Sequence, residues 1–345
     1  MHAPEASSSA PRSGRVRQLP GPVVVLVAVP LLVSFALWAF AWPAARTAPH
    51  DLPLGVAGPA AATARVEARL EQHPDAFELH RYADEAAARE AVRDRDVYGA
   101  LVATPRGPKL LTASAAGPAV AQLLTEAATK AAPEGPRVHS EDVVPTPPGD
   151  PRGSALSASV LPLALAGVAT GALVTLMRLR GTRGMLALLA SAALVGLAAA
   201  ALTDSWLGVL AGNWWAEVGA LGLTVLAVSS AVAGLGTLLG LKGIGVGAML
   251  TVLLGNPWSG VPSAPELLPE PIGTLGQWLP PGAGGTLLRG VGFFDGRAVD
   301  TPVLVLTVWA VLGLTALALG GLRDGRQRAA APLSADRDAP SAMRS

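Results

Sequence analysis

Residues 156–183 read LSASVLPLALAGVATGALVTLM followed at once by RLRGTR. From Leu156 to Met177 there is no Asp, Glu, His, Lys or Arg, and then Arg178, Arg180 and Arg183 arrive within six positions. A helix needs about 20 apolar residues to cross roughly 30 Å of hydrocarbon. The stretch therefore predicts a membrane span with a cationic mark at one end. The same signature recurs on either side, at Pro22–Ala41, Met185–Thr203, Val218–Leu241 and Pro302–Leu322. Gly243–Gly255, about 13 residues, is too short to decide by itself. It reads as a short span extended by its flanks or as a segment that enters and turns back.

Loop charge chooses between these readings, because short cytoplasmic loops collect Lys and Arg. Arg12, Arg15 and Arg17 precede the first span, Arg178, Arg180 and Arg183 follow the second, Lys242 follows the fourth, and Arg323, Arg326 and Arg328 follow the last. The loop from Asp204 to Glu217 has neither Lys nor Arg. Six spans with both ends inside put every basic cluster in the cytoplasm. Five would put the first or last cluster outside. Six of the eight tryptophans, Trp42, Trp206, Trp214, Trp215, Trp258 and Trp278, then fall at or beyond the outer span ends, where amphipathic rings favour the headgroup zone.

The composition agrees. Of 345 residues 51% are hydrophobic and only 15% charged, against about 25% charged in an average soluble domain. The basic residues form no stripe, which argues against a nucleic-acid partner. With no cysteine, disulfides, thiolate catalysis, cysteine-ligated zinc and iron–sulfur clusters are excluded. The first span also fits a cleaved signal peptide, but it is longer than the usual 7–15-residue signal core, so a retained anchor is favoured.

The expected fold is a polytopic α-helical membrane protein with six transmembrane helices and an extracytoplasmic α/β domain inserted between the first and second. Residues 1–21 are a cytoplasmic tail, 22–42 the first helix, 43–154 the outer domain and 155–322 a five-helix membrane domain. Residues 323–345 are a disordered cytoplasmic tail. Within the outer domain, strands are predicted at Pro53–Ala57, Phe77–Tyr82, Val97–Ala103, Lys109–Thr112 and Arg137–Val144. Helices are predicted at Ala60–Gln72, Asp84–Asp94 and Ala119–Ala131. The inner faces are Val66 and Leu70; Ala88, Ala91 and Val92; and Val120, Leu123, Leu124 and Ala127. Glu67, Glu71, Asp84, Glu85 and Glu90 read as solvated helix faces. His73, His80 and His139 match no metal spacing, so no metal, cofactor or catalytic residue is assigned.

Within the proposed spans no ionisable residue offers a proton relay, and no Ser or Thr has a partner base. Lys109, Lys130 and Lys242 are the only lysines, and none sits in a phosphate-binding Gly-x-x-x-x-Gly-Lys loop. Uphill transport would need energy from another chain. Gly167 and Gly171, Gly236 and Gly240, and Gly243 and Gly247 have the spacing that lets helix backbones approach.

Residues 256–301 interleave apolar residues with prolines too often for a span, so a re-entrant or interfacial segment is expected. In order it carries Ser259-Gly260, Pro265 to Pro269, Leu279-Pro280 and Leu288-Arg289. With Val97-Tyr98-Gly99-Ala100-Leu101 and Leu110 to Ala115, this order resembles the ABC-2 type permease superfamily, phage-infection-protein-like (YhgE/Pip) branch. The resemblance implies transport or secretion across the plasma membrane by a homodimer with a separate ATPase subunit. It makes Arg178, Arg180 and Arg183 the partner-coupling turn. Arg289 either anchors the outer segment at the headgroups, which is favoured, or takes part in gating. The uncharged spans suit an amphiphilic or envelope-related cargo exported by a permease-like subunit, and equally suit a scaffold. The alternative is a non-transporting membrane protein whose outer domain binds a cell-envelope partner.

Overall fold

The computed structural model describes residues 21–70, 72, 75–105, 107–131 and 138–330. The predicted tails, Glu71, His73 and the Val66 side chain lie wholly or largely outside them. The chain divides between Trp38 and Ala39. α1 (Gly21–Ala45), most of which belongs to the first unit, is apolar on every side there, with Val25, Leu26, Val29, Leu31 and Leu32 all exposed. A helix apolar all round is stable only when its whole surface is out of water.

Four further helices are long and apolar enough to cross a bilayer, and the protein is membrane-embedded. They are α5 (Ser154–Leu176), α6 (Gly181–Ala200, running on as π-helix to Trp206), α7 (Trp214–Leu239) and the first part of α12 (Asp300–Ala330). α7 is the hub. It is buried over 72% of its apolar window, against 22–28% for the other three, and it packs on α5, α6 and α12.

Small residues make this packing close. A Cβ on Gly171 of α5 would run into the Ser229 carbonyl oxygen, and one on Gly167 would lie 2.7 Å from Val228. Gly313 of α12 meets the Ser230 backbone of α7, and Gly320 meets Thr237. Position rises with position in these contacts, so α5, α7 and α12 run in parallel. Gly196 of α6 instead meets Val218, and Ala192 meets Gly222, so α6 runs the other way. Gly236 meets Thr175 of α5, whereas Gly240 has open space and a φ of +64°. Of that spaced pair, one glycine is a helix contact and the other makes the turn out of α7.

After Gly240 the chain reverses. Gly243 packs on Leu235, and Gly247 on Val232. Here α8 (Leu241–Ala248), a π-helical stretch (Met249–Gly255) and α9 (Asn256–Trp258) follow without a break, over eight, seven and three residues. At 1.5 Å per residue the run is about 27 Å long.

Residues 52–142 form a sheet domain with strand order β2-β1-β3-β4-β5. β1 (Leu52–Ala57) lies parallel to β2 (Phe77–Tyr82) and β3 (Gly99–Thr104), β3 antiparallel to β4 (Gly107–Thr112), and β4 parallel to β5 (His139–Asp142). Alternation along the strands divides the core into two layers. Ala57, Ala100, Val102 and Leu111 pack with Ala88, Ala91 and Val92 of α3 (Glu85–Asp94). Leu54 and Leu110 pack with Leu70 of α2 (Ala60–Leu70) and with Val120 and Leu124 of α4 (Pro118–Ala131). On α4, Ala127 is exposed and Ala128 joins the core instead.

Glu67 departs from its predicted solvated role. It is buried, with its carboxylate 2.7 Å from Arg81 of β2. The face of α2 that carries it lies over the sheet, so the pair with Arg81 takes the place of the water that burial removes. Asp84 caps α3 by accepting from the Ala87 N–H at 2.9 Å. Glu85 shares Arg89 and Lys109 with Glu141.

Candidate functional site

The proline-rich segment folds as a 3₁₀ turn at Pro265–Leu267, then α10 (Ile272–Gln277) and α11 (Pro280–Phe293). Pro280 and Pro281 occupy the first turn of α11, where their missing N–H groups cost nothing. Glycines then let the helix sink among its neighbours. A Cβ on Gly284 would lie 2.5 Å from Thr224 of α7, and one on Gly285 would run into Val261. Of residues 280–292 all but Thr286 are buried. α11 contacts α5, α7 and α12, so it is a buried helix.

The segment also completes the sheet domain. Ala264 and Leu267 enter one core layer, and Phe294 enters the other. The backbone N–H groups of Ala48 and His50 donate to the Leu267 and Glu266 carbonyls at 3.1 and 2.8 Å. The Tyr98 hydroxyl donates to the Glu266 carboxylate at 2.7 Å. Arg297, after α11, pairs with Glu90 at 2.8 Å and with Asp94.

Between the sheet domain, this segment and the start of α12 lies a cavity of about 490 Å³. Arg95, Tyr98, Glu266, Gln277, Trp278 and Arg289 line it, with His50, Thr301 and Val305 among the remaining walls. Arg95 ends α3 in a left-handed conformation, with φ of 65°. It donates to the Thr286 carbonyl at 3.2 Å, and its guanidinium stands 5.2 Å from the Phe294 ring centre, within cation–π range.

Arg289 is 3% exposed. Its Nη2 donates to the Val261 carbonyl at 2.9 Å, while its Nε has no partner among the described residues. Leaving such a donor unmet costs about 1–3 kcal/mol. Among the described residues neither Arg95 nor Arg289 forms an ion pair. Burial, then the neighbouring Arg95, lowers the Arg289 pKa to about 10, which leaves it protonated at neutral pH. Burial first and Glu266 second push the Tyr98 phenol upward. The arrangement holds two guanidiniums, one under-bonded, against a closed wall, and it is suited to receiving an acceptor-rich group.

Arg289, expected to anchor the proline-rich segment, is buried on α11, and its side chain turns to Val261 in the same segment. Arg178 and Arg180 on the turn between α5 and α6 and Arg183 in the first turn of α6 are exposed, and α6 begins with Gly181 packed on Gly321 of α12. Arg95, Tyr98, Glu266 and His50 were not singled out from sequence. Only the Val97-Tyr98-Gly99 motif and the Pro265–Pro269 motif pointed near them. His80, on β2, lies 3.5 Å from Glu78, and His139 is exposed on β5.

No protein-family model, curated protein or solved structure matches the chain.

Proposed function

We propose that this chain is a permease-like subunit of the plasma membrane that exports an amphiphilic, envelope-related substrate and takes its energy from a separate ATPase. The observation that carries the reading is the cavity beside α11. A helix buried among α5, α7 and α12 supports a sheet domain, and a cavity with both charged and apolar walls remains between them. That space joins a membrane-embedded bundle to a water-soluble domain, as handling of an amphiphile requires.

Six crossings with both ends in the cytoplasm follow from this reading. The parallel course of α7 and α12 requires a return between them, and the helical run 241–258 lies antiparallel to α7. The proline-rich segment and the sheet domain are then on the outer side. The exposed Arg178, Arg180 and Arg183 are on the inner side, where a coupling partner would dock.

The test is copurification from native membranes. The unaltered chain should bring down an ATPase, and Arg178→Glu, Arg180→Glu and Arg183→Glu together should lose it while the outer domain stays protease-resistant. Copurification unchanged by the triple variant would remove the coupling role. If no ATPase accompanies the unaltered chain, the non-transporting alternative is favoured.

A further inference from the structure

The Nε of Arg289 is a buried donor with no acceptor among the described residues, on a side chain that lines a 490 Å³ cavity and carries a full charge at neutral pH. Arg95 lines the same cavity and gives a hydrogen bond to the Thr286 carbonyl, a neutral acceptor. A guanidinium presents several N–H groups in a fork that matches the oxygens of phosphate. Pairing with such an anion would offset the burial of both cations.

The remaining walls limit what the anion is part of. Asp51, Glu266 and Glu270 also line the cavity. Glu266 is engaged by Tyr98, whereas Asp51 and Glu270 are exposed. Three carboxylates disfavour a bare, multiply charged anion. They suit a group that carries a cationic amine beside its phosphate. Trp278, Leu268 and Val305 supply an apolar wall, with Trp278 exposed, as expected of a ring at the headgroup level.

We propose that the cavity between the sheet domain and α11 binds a zwitterionic phosphate headgroup, its phosphate on Arg289 and Arg95 and its amine toward Asp51 and Glu270. The assignment deepens the permease reading, on which it rests only for regarding the ligand as cargo. Binding itself is independent of any ATPase.

The test is calorimetric titration of the full chain in maltoside micelles, whose sugar heads carry no phosphate. The probes are dihexanoyl phosphatidylethanolamine and O-phosphoethanolamine. Saturable binding is expected, at least tenfold weaker in Arg289→Gln and in Arg95→Gln, with Arg289→Lys intermediate. Binding of the lipid alone supports a membrane source for the ligand. Equal binding of the free headgroup supports a soluble source at the same site.

No saturable binding of either probe, or binding by both Gln variants as tight as by the unaltered chain, would overturn the site. Should the Gln variants fail to fold, the thermal midpoint of the unaltered chain decides. It should rise with phosphatidylethanolamine and not with dihexanoyl glycerol, and an equal response to both would overturn the site. A lost ATPase interaction would leave these results unchanged, so failure of the site and failure of the permease reading are separable.

Discussion

Tyr98 and Glu266, 168 positions apart, meet through one hydrogen bond of 2.7 Å that ties the approach to β3 to the proline-rich segment. Around it Ala48 and His50 pair their backbone with Leu267 and Glu266, and Leu267 fills the sheet domain's core. The sheet domain and the helical part thus share a core, and the cavity lies inside the joint.

Replacing Tyr98 with Phe should remove that bond while keeping the ring. A hydrogen bond to a charged group contributes about 1.5–3 kcal/mol, so the thermal midpoint in detergent should fall. Amide exchange should quicken between residues 262 and 270. Exchange unchanged there would mean the joint does not depend on this contact.

Acid should loosen the sheet domain at a different place. Arg89, and after it Lys109, hold the Glu141 carboxyl at about 2, below its ordinary 4.5. A carboxyl depressed in the folded state contributes stability that is complete above its unfolded pKa and lost as pH falls toward the folded one. The excess stability of the unaltered chain over Glu141→Gln should therefore be constant from pH 7 to about 5 and shrink from there toward pH 2. A difference that grows on acidification would refute the assignment. Exposure of the pair to water limits its size.

Two glycines make a matched test of the helix packing. Gly171→Val would drive a side chain into Ser229 and Val232 of α7, and overpacking of this kind costs about 1–3 kcal/mol. Gly219→Ala, on an open face of α7, should gain about 0.5–1 kcal/mol from helix propensity. Comparable melting of the two variants in detergent would count against the close glycine contacts that set α5 and α7 side by side.

Arg178 has a left-handed backbone, with φ of 54°, a conformation that suits glycine. Arg178→Gly should raise stability by up to about 1 kcal/mol of relieved strain, and with it the midpoint; under the permease proposal it should also weaken ATPase copurification. A variant that is stabilised and still copurifies fully would assign this arginine to the turn alone.

Much of the architecture was legible because hydrocarbon excludes charge: the uncharged run Leu156–Met177 becomes most of α5, and the arginines after it mark the turn. Phe77–Tyr82 and the Ala88, Ala91, Val92 face were legible for a similar reason, since period and apolarity are local properties. Glu67 and Arg289 were not. Each looks like an ordinary surface charge in its own window, and each is buried by elements it cannot see there, Glu67 by the sheet under α2 and Arg289 by the helices around α11. His50 had no signal, because its surroundings come from Glu266 and the cavity wall.

Since the chain contains no cysteine, single cysteines report sidedness without background. The most direct measurement is labelling of Arg180→Cys and of Asp75→Cys, in intact cells and after permeabilisation, with a membrane-impermeant maleimide. Six crossings with an inner arginine turn predict that Asp75→Cys labels in intact cells and Arg180→Cys only after permeabilisation. Labelling of Arg180→Cys in intact cells would contradict the orientation and, with it, the placing of the cavity on the outer side.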